Sequence, residues 1–413
     1  MKNNAKQTSV LIIALCWLAY TVAYMGRLNF NAYIEPIRNQ LGATKTELGL
    51  VSSFFFFSYG AGQLFHGILS KKYNTRYSVA VSLLGSAAVN LAMSFCTEAG
   101  TMKLLWLLNG FFQSILWSSM VKTLADRLPD EMLPKAIVVM GTPPALGTFL
   151  AYGMAALLSA AKASYRIVFC IPAVLLTVTG AAWFLLTGSA DRRLAQSDEP
   201  SRPPEKKAIK RTPAFVLGAV LLLLTAVTNG FIKDGVTTWT PSILTESYGM
   251  NESFSILITV VLPLIAVAGA WFSTKLHGRW RNTSALNAGL YLVEAVLLLG
   301  VALTAGSTRL KSPVLLIALF SGSALLMSAV NNIITSIIPL YMRDRMESGL
   351  LAGVLDTFCY VGSALSTGLL GYIADRNAWS GVFRCLLLFG AAAFVCCILS
   401  VAVHKKEVQY EEV

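Results

Sequence analysis

Twelve apolar runs of about 20 residues or more, separated by short polar stretches, follow one another along the whole chain. They lie at 9–35, 47–70, 77–96, 103–125, 134–160 and 164–188, and then at 213–245, 253–276, 283–304, 313–339, 347–374 and 380–403. Hydrocarbon offers no partner for a backbone amide, so runs of this length are read as helices that satisfy their own N–H and C=O groups while crossing a bilayer. The expected fold is an all-α membrane protein of 12 transmembrane helices (spans 1 to 12) in two pseudo-symmetric six-helix bundles. Residues 1–188 form the N-terminal bundle and 213–413 the C-terminal bundle with a short cytoplasmic tail. The longest polar stretch, 189–212, is a cytoplasmic linker rich in Arg, Lys and Pro. Charged residues make up only 13% of the 413, against roughly 25% in soluble domains, and little chain is left for an extramembrane catalytic domain.

The charge balance of +12 comes from 33 Lys and Arg against 21 Asp and Glu. In a soluble chain it would suggest nucleic acid; here most of the cations sit in loops and set topology. With both termini in the cytoplasm, the tails and even-numbered loops carry 21 basic residues and the other loops 9, the asymmetry expected of a multi-pass protein of the inner (plasma) membrane. No small-residue cleavage site follows the first run, which is read as a retained helix. The seven cysteines show no framework spacing, and His66, His277 and His404 are scattered. There is no HExxH and no phosphate-cradling Gly-Lys-Ser/Thr sequence. The chain is therefore expected to be no enzyme, to need no metal or cofactor, and not to be driven by ATP.

The three cations assigned to neither tails nor loops, Arg27, Lys122 and Lys233, fall inside apolar runs. A charge at mid-bilayer costs at least ~2.5 kcal/mol, so such residues face water or a partner. Tyr20, Tyr24, Arg27 and Asn31 share one face of span 1, and Thr225, Asn229, Lys233, Thr237 and Thr240 share one face of span 7. The S-x-K-x-x-x-R pattern at Ser70–Arg76 recurs at Ser273–Arg279, an offset of 203; adding it to Arg27 gives 230, three short of Lys233. The two cations thus occupy near-equivalent places in two parallel repeats. Neighbours i and i+1 diverge by about 100° on a helix, so a direct Lys233–Asp234 pair is not expected. Lys122, one turn from Asp126-Arg127, reads as a gate or loop contact.

Asp356 leads a stripe with Tyr360, Ser363 and Thr367 in span 11, and reads either as the counter-ion of a buried cation or as a coupling carboxylate. Glu294 in span 9 has no companion stripe and receives no role. Asn331, Asn332, Thr335, Ser336, Gln113 and Trp117 line a cavity or bond neighbouring helices. Pro143-Pro144 in span 5 and Pro263 in span 8 are expected to kink their helices.

Tyr24-Met25-Gly26-Arg27-Leu28-Asn29-Phe30 in span 1, Gly110-Phe111-Phe112-Gln113 with Trp117 in span 4, and Lys233-Asp234-Gly235 followed by Trp239-Thr240-Pro241 in span 7 resemble motifs of the major facilitator superfamily. Within it they resemble those of the organophosphate:phosphate antiporter family, and the resemblance spans nearly the whole chain. It implies that the span 1 and span 7 cations, Arg27 and Lys233, hold a substrate phosphate from the two halves, and that Lys122 matches the family's span 4 arginine. Leu28, Gln63 and Pro144 stand where members of the family carry basic residues, and the loop motif is altered to Gly67-Ile68-Leu69-Ser70-Lys71-Lys72.

The function expected is alternating-access transport of a small organic anion, a phosphorylated metabolite exchanged for inorganic phosphate, by a monomer in the lipid bilayer. Arg27 and Lys233 would bind the anionic group, with Tyr20, Tyr24, Asn31, Asn229, Asn332 and Tyr360 orienting the remainder. The alternatives are proton-coupled symport of a carboxylate such as a sugar acid, with Asp356 as the coupling group, and a transporter-like sensor of a sugar phosphate.

Overall fold

A computed structural model describes residues 2–69, 74–129, 131–194, 212–280, 282–306, 310–342 and 348–411. Residues 195–211 of the linker, and Ser70, Lys71 and Lys72 of the repeated loop pattern, lie outside the described residues; 189–194, expected as linker, instead continue the helix of span 6.

The first span is α1 (Lys2–Ala32), whose 31 residues are ample for a hydrocarbon layer at about 1.5 Å of rise per residue. It stops at Tyr33, and a separate short helix, α2 (Ile34–Leu41), carries Glu35 and Arg38 out of the span before Gly42 ends it in the left-handed region (φ 65°). The apolar pattern carried span 1 to residue 35; the break at Tyr33 instead frees Glu35 for polar partners. Next come α3 (Lys45–Leu69) and α4 (Thr75–Met93), the latter capped by the Asn74 side chain, which accepts from the Arg76 amide. Span 4 is divided at Ile115 into α5 (Ala99–Ser114) and α6 (Leu116–Arg127).

Proline placement explains the remaining irregularities. After α7 (Leu133–Val139), Pro143 and Pro144 open α8 (Pro143–Ala160) at positions where an N–H would go unused, so they start a helix rather than kinking one. Span 6 is α9 (Tyr165–Leu194) and span 7 is α10 (Pro213–Tyr248), which runs unbroken through Pro241. Pro263 has no amide to offer the Thr259 carbonyl, and span 8 breaks there into α11 (Glu252–Thr259) and α12 (Val261–Arg279). Past α13 (Thr283–Gly306), span 10 begins as α14 (Pro313–Asn332) and widens into a π-turn at Ile333–Ile337. It ends as α15 (Ile338–Tyr341), where Pro339 leaves the Thr335 carbonyl without its usual donor. Spans 11 and 12 lie in α16 (Ser348–Glu411) and meet at Ala378 (φ 54°).

Ten helices among the described residues are long and apolar enough to cross a membrane. The last of these, Gly349–Val403, holds two passes, and the less apolar α4 supplies one more, giving the twelve expected. In the first half α1 packs on α8 and α9, α3 on α5, and α4 on α9; in the second, α10 and α13 pack on α16 and α12 on α14. The halves meet along α3–α16 and α8–α11. Inside the second half α10 and α16 touch backbone to backbone. A Cβ on Gly230 would lie 1.8 Å from the Cys359 carbonyl oxygen, and one on Gly362 1.8 Å from that of Val227.

Gly230→Ala is therefore expected to force the two helices apart at a cost of about 1–3 kcal/mol, lowering the thermal midpoint of the detergent-solubilised protein by several degrees. Gly153→Ala, with nothing within 4 Å of its added Cβ, is the control and should leave that midpoint nearly unchanged.

Candidate functional site

Between the halves lies a cavity of about 910 Å³, walled by α3 (Gln63, Gly67), α6 (Trp117, Ser118, Lys122), the π-turn (Thr335, Ser336) and α16 (Gly353, Asp356). It opens on the side where α3 ends, which is the side on which α1 begins. The π-turn gives Thr335 and Ser336 their place in the wall, and Lys122 lines the mouth. Asp356 lies beside Gln63 and within electrostatic range of both Lys233 and Arg27.

Arg27 is only 8% exposed and sits in an aromatic cage. Its guanidinium carbon is 4.2 Å from the ring centre of Tyr59, 5.3 Å from Tyr24, 5.4 Å from Phe55 and 5.5 Å from Tyr360. The ring faces attract the cation electrostatically. Nη2 donates to Tyr360 Oη at 3.1 Å, a bond from span 1 to span 11 that joins the two halves, while Nε has no partner. Tyr20 backs the cage, its ring 5.2 Å from Tyr24 and 5.1 Å from Trp117.

Lys233 departs from its expected isolation: Nζ lies 3.8 Å from Asp234 Oδ2. The helical backbone does separate i and i+1, but the flexible four-carbon stem folds back far enough for an ion pair, though not for a hydrogen bond. Ser363 Oγ donates to the same carboxylate. Two cations and two carboxylates, Arg27 and Lys233 with Asp234 and Asp356, thus lie within electrostatic range around this site.

Three further candidate residues, Asn31, Asn229 and Asn332, lie elsewhere. Asn31 donates to Thr238 Oγ1 (3.3 Å) and accepts from Ser52 Oγ (2.6 Å), tying span 1 to spans 7 and 2. Asn229, fully buried, donates to the Met327 carbonyl (2.7 Å), and Asn332 donates to Ser273 Oγ (2.9 Å) and the Ala270 carbonyl. These two spend their amides on neighbouring helices rather than on the cavity. Glu294, given no role from the sequence, is fully buried and accepts from Ser323 Oγ.

The side opposite the mouth is closed by polar contacts that sequence reasoning did not single out. Arg38 pairs with Glu35 and with Glu246 (2.8 Å), and Lys45 also reaches Glu246 (3.0 Å). Ser242 Oγ donates to Glu35, Trp379 Nε1 to Glu246, and Thr46 to Asp375. Asn39 from the first half and Ser159 both donate to Glu252. Burial lifts the Glu35 carboxyl above its ordinary range, opposed by Arg38 and by the Ser242 bond.

The sequence profile of the Major Facilitator Superfamily matches residues 16–346. A glycerol-3-phosphate transporter of Bacillus subtilis (strain 168) is 25% identical over 90% of this chain and 87% of its own length. A hexuronate transporter of the same organism is 22% identical over 93% of this chain and 92% of its own. Among solved structures, a bacterial homologue of the human lysosomal transporter Spinster, inward-facing and occupied, superposes with a TM-score of 0.66 at 15% identity, covering 97% of each chain.

Glu35 binds its proton more readily in the closed seal than it would in water, so proton binding and closure favour one another. The sealed side is expected to close further as pH falls from about 7.5 to about 5, through the range above an ordinary carboxylate. Spin labels at Ala161 and Ser247 read the separation across it, and Glu35→Gln should abolish the dependence.

Proposed function

Because the chain belongs to the major facilitator superfamily, we propose that it carries a small organic anion across the plasma membrane by alternating access, exchanging a phosphorylated metabolite for inorganic phosphate. The observation that carries this reading is Arg27, a buried cation held between spans 1 and 11 with one guanidinium N–H unpartnered and within electrostatic range of Lys233 of the other half. Arg27 offers an oxyanion a planar fork of donors, and Lys233 adds a point charge. Tyr20, Tyr24 and Tyr360 shape the pocket around them. Lys122 at the mouth is the first cation an anion would meet. The 25% identical glycerol-3-phosphate transporter supports the phosphate ester as cargo.

Residues 1–188 and 213–413 would rock as two bodies of a monomer about this site, joined by the cytoplasmic linker 189–212. Both termini and the cavity mouth would face the cytoplasm, so the seal at Glu35, Arg38, Lys45 and Glu246 is the outer gate.

A second reading, proton-coupled symport of a carboxylate, is favoured by Asp356 in the cavity wall and by the hexuronate transporter among the relatives. It requires that uptake follow an imposed proton gradient and that Asp356→Asn break that link.

In proteoliposomes loaded with inorganic phosphate, counterflow of labelled glycerol-3-phosphate should proceed without a proton gradient. Arg27→Ala and Lys233→Ala should each slow it about 10–100-fold, the loss of a hydrogen bond to a charged group. Wild-type rates in both variants, correctly inserted, would rule this clamp out.

A further inference from the structure

Asp234 stands next to Lys233 in α10, and neither the anion clamp nor the family resemblance gives it a task. Building on the anion-carrier reading, we propose that Asp234 determines specificity: it is the resident counter-ion of Lys233, and an anion binds by taking its place.

The geometry suits such an exchange. At 3.8 Å the Lys233–Asp234 pair is close enough to attract but too long to be hydrogen-bonded, and the two side chains remain 29% and 20% exposed, within reach of solvent and solute. The carboxylate is anchored on its other side by Ser363 Oγ. Ser363 is kept near Asp234 because Gly230 and Gly362 hold α10 and α16 in backbone contact just before that bond in both helices. The mobile member is the lysine, on its flexible stem. When Lys233 turns to an incoming anion, Asp234 loses its cation while keeping its serine. On the other half of the molecule, Tyr152 of α8 lies within electrostatic range of Asp234, and its fully buried hydroxyl has no hydrogen-bond partner.

Charge arithmetic then says what Asp234 selects. Arg27 and Lys233 are balanced by Asp234 and Asp356, with Lys122 further out at the mouth. In a site of low effective dielectric, a monoanion entering a balanced set leaves one charge uncompensated and a dianion leaves two. Ionised Asp234 therefore weighs against the more highly charged form of any anion, and the amide of asparagine would remove that weight. A unit charge a few ångströms away alters affinity by about tenfold or more.

The test compares two anions with the same three-carbon skeleton, glycerol-3-phosphate as the dianion and glycerate as the monoanion, binding to the purified full-length protein at about pH 7.5, where a phosphate ester is mostly doubly charged. The readout is the ratio of their dissociation constants. Asp234→Asn is expected to move that ratio about tenfold toward the dianion. Ser363→Ala releases the carboxylate to close on Lys233 and should move it the opposite way. An unchanged ratio in monodisperse Asp234→Asn, or an equal loss of both anions, would overturn the proposal by leaving Asp234 a merely structural neighbour. Should that variant aggregate, Ser363→Ala decides alone: a shift toward the monoanion supports the exchange and no shift overturns it. Wild-type protein that binds neither anion would defeat the anion-carrier reading itself. Wild-type binding with an unmoved ratio in the variants defeats only the role of Asp234.

Discussion

A guanidinium deep in a membrane-spanning helix must be given a substitute for water, and the centre of this protein is built around that need at Arg27. Three rings from the first half and one from the second surround the cation, and the hydroxyl of Tyr360 supplies the hydrogen bond that crosses between them. A face of aromatic rings attracts a cation without neutralising it. Arg27 therefore remains positive and incompletely bonded, which is the condition for holding an anion rather than a permanent ion pair. Asp356 and Asp234 stand near enough to keep the whole group electrically tolerable and lie on helices packed against each other.

The contacts that differ in kind across the molecule show which parts can move. Within the second half, α10 and α16 meet backbone to backbone at Gly230 and Gly362, and no rearrangement of side chains can loosen that seam. The side opposite the mouth is held by Arg38, Glu246, Lys45, Thr46, Asp375 and Glu252, polar groups of which Lys45 is buried and the others are partly or largely exposed to water. Ion pairs at a surface are worth about 0–1 kcal/mol each, and these are only partly exposed, so the seal draws on several of them together. The halves also meet more tightly along α3 and α16, where a Cβ on Gly49 would lie 2.3 Å from the Thr367 carbonyl oxygen.

The polar stripes identified Arg27, Lys233, Asp356 and Tyr360, which the structure brings to one region. The stripe of span 7 also included Asn229, and span 10 offered Asn332, but their amides bond the carbonyl of Met327 and the hydroxyl of Ser273. A periodicity of 3.6 residues says which positions share a face of a helix but not whether that face meets a cavity or another helix. Asp234 was set aside because backbone geometry separates it from Lys233, whereas side-chain length decided the contact. The sealing cluster was invisible for a different reason: Arg38 and Glu246, or Asn39 and Glu252, are over 200 residues apart and carry no pattern of their own.

What the sequence by itself determined is the number of passes, the helical class and the short list of residues too polar to face lipid. These follow from local physics: a helix satisfies its backbone through bonds four residues apart, and a run of about 20 apolar residues already states the thickness it must cross. Only the tertiary structure decided which buried charge meets which partner, where the cavity opens and which side is shut. Coulomb forces and side-chain hydrogen bonds act over a few ångströms of space between segments hundreds of residues apart, and nothing in the spacing of one helix encodes the neighbour it is packed against.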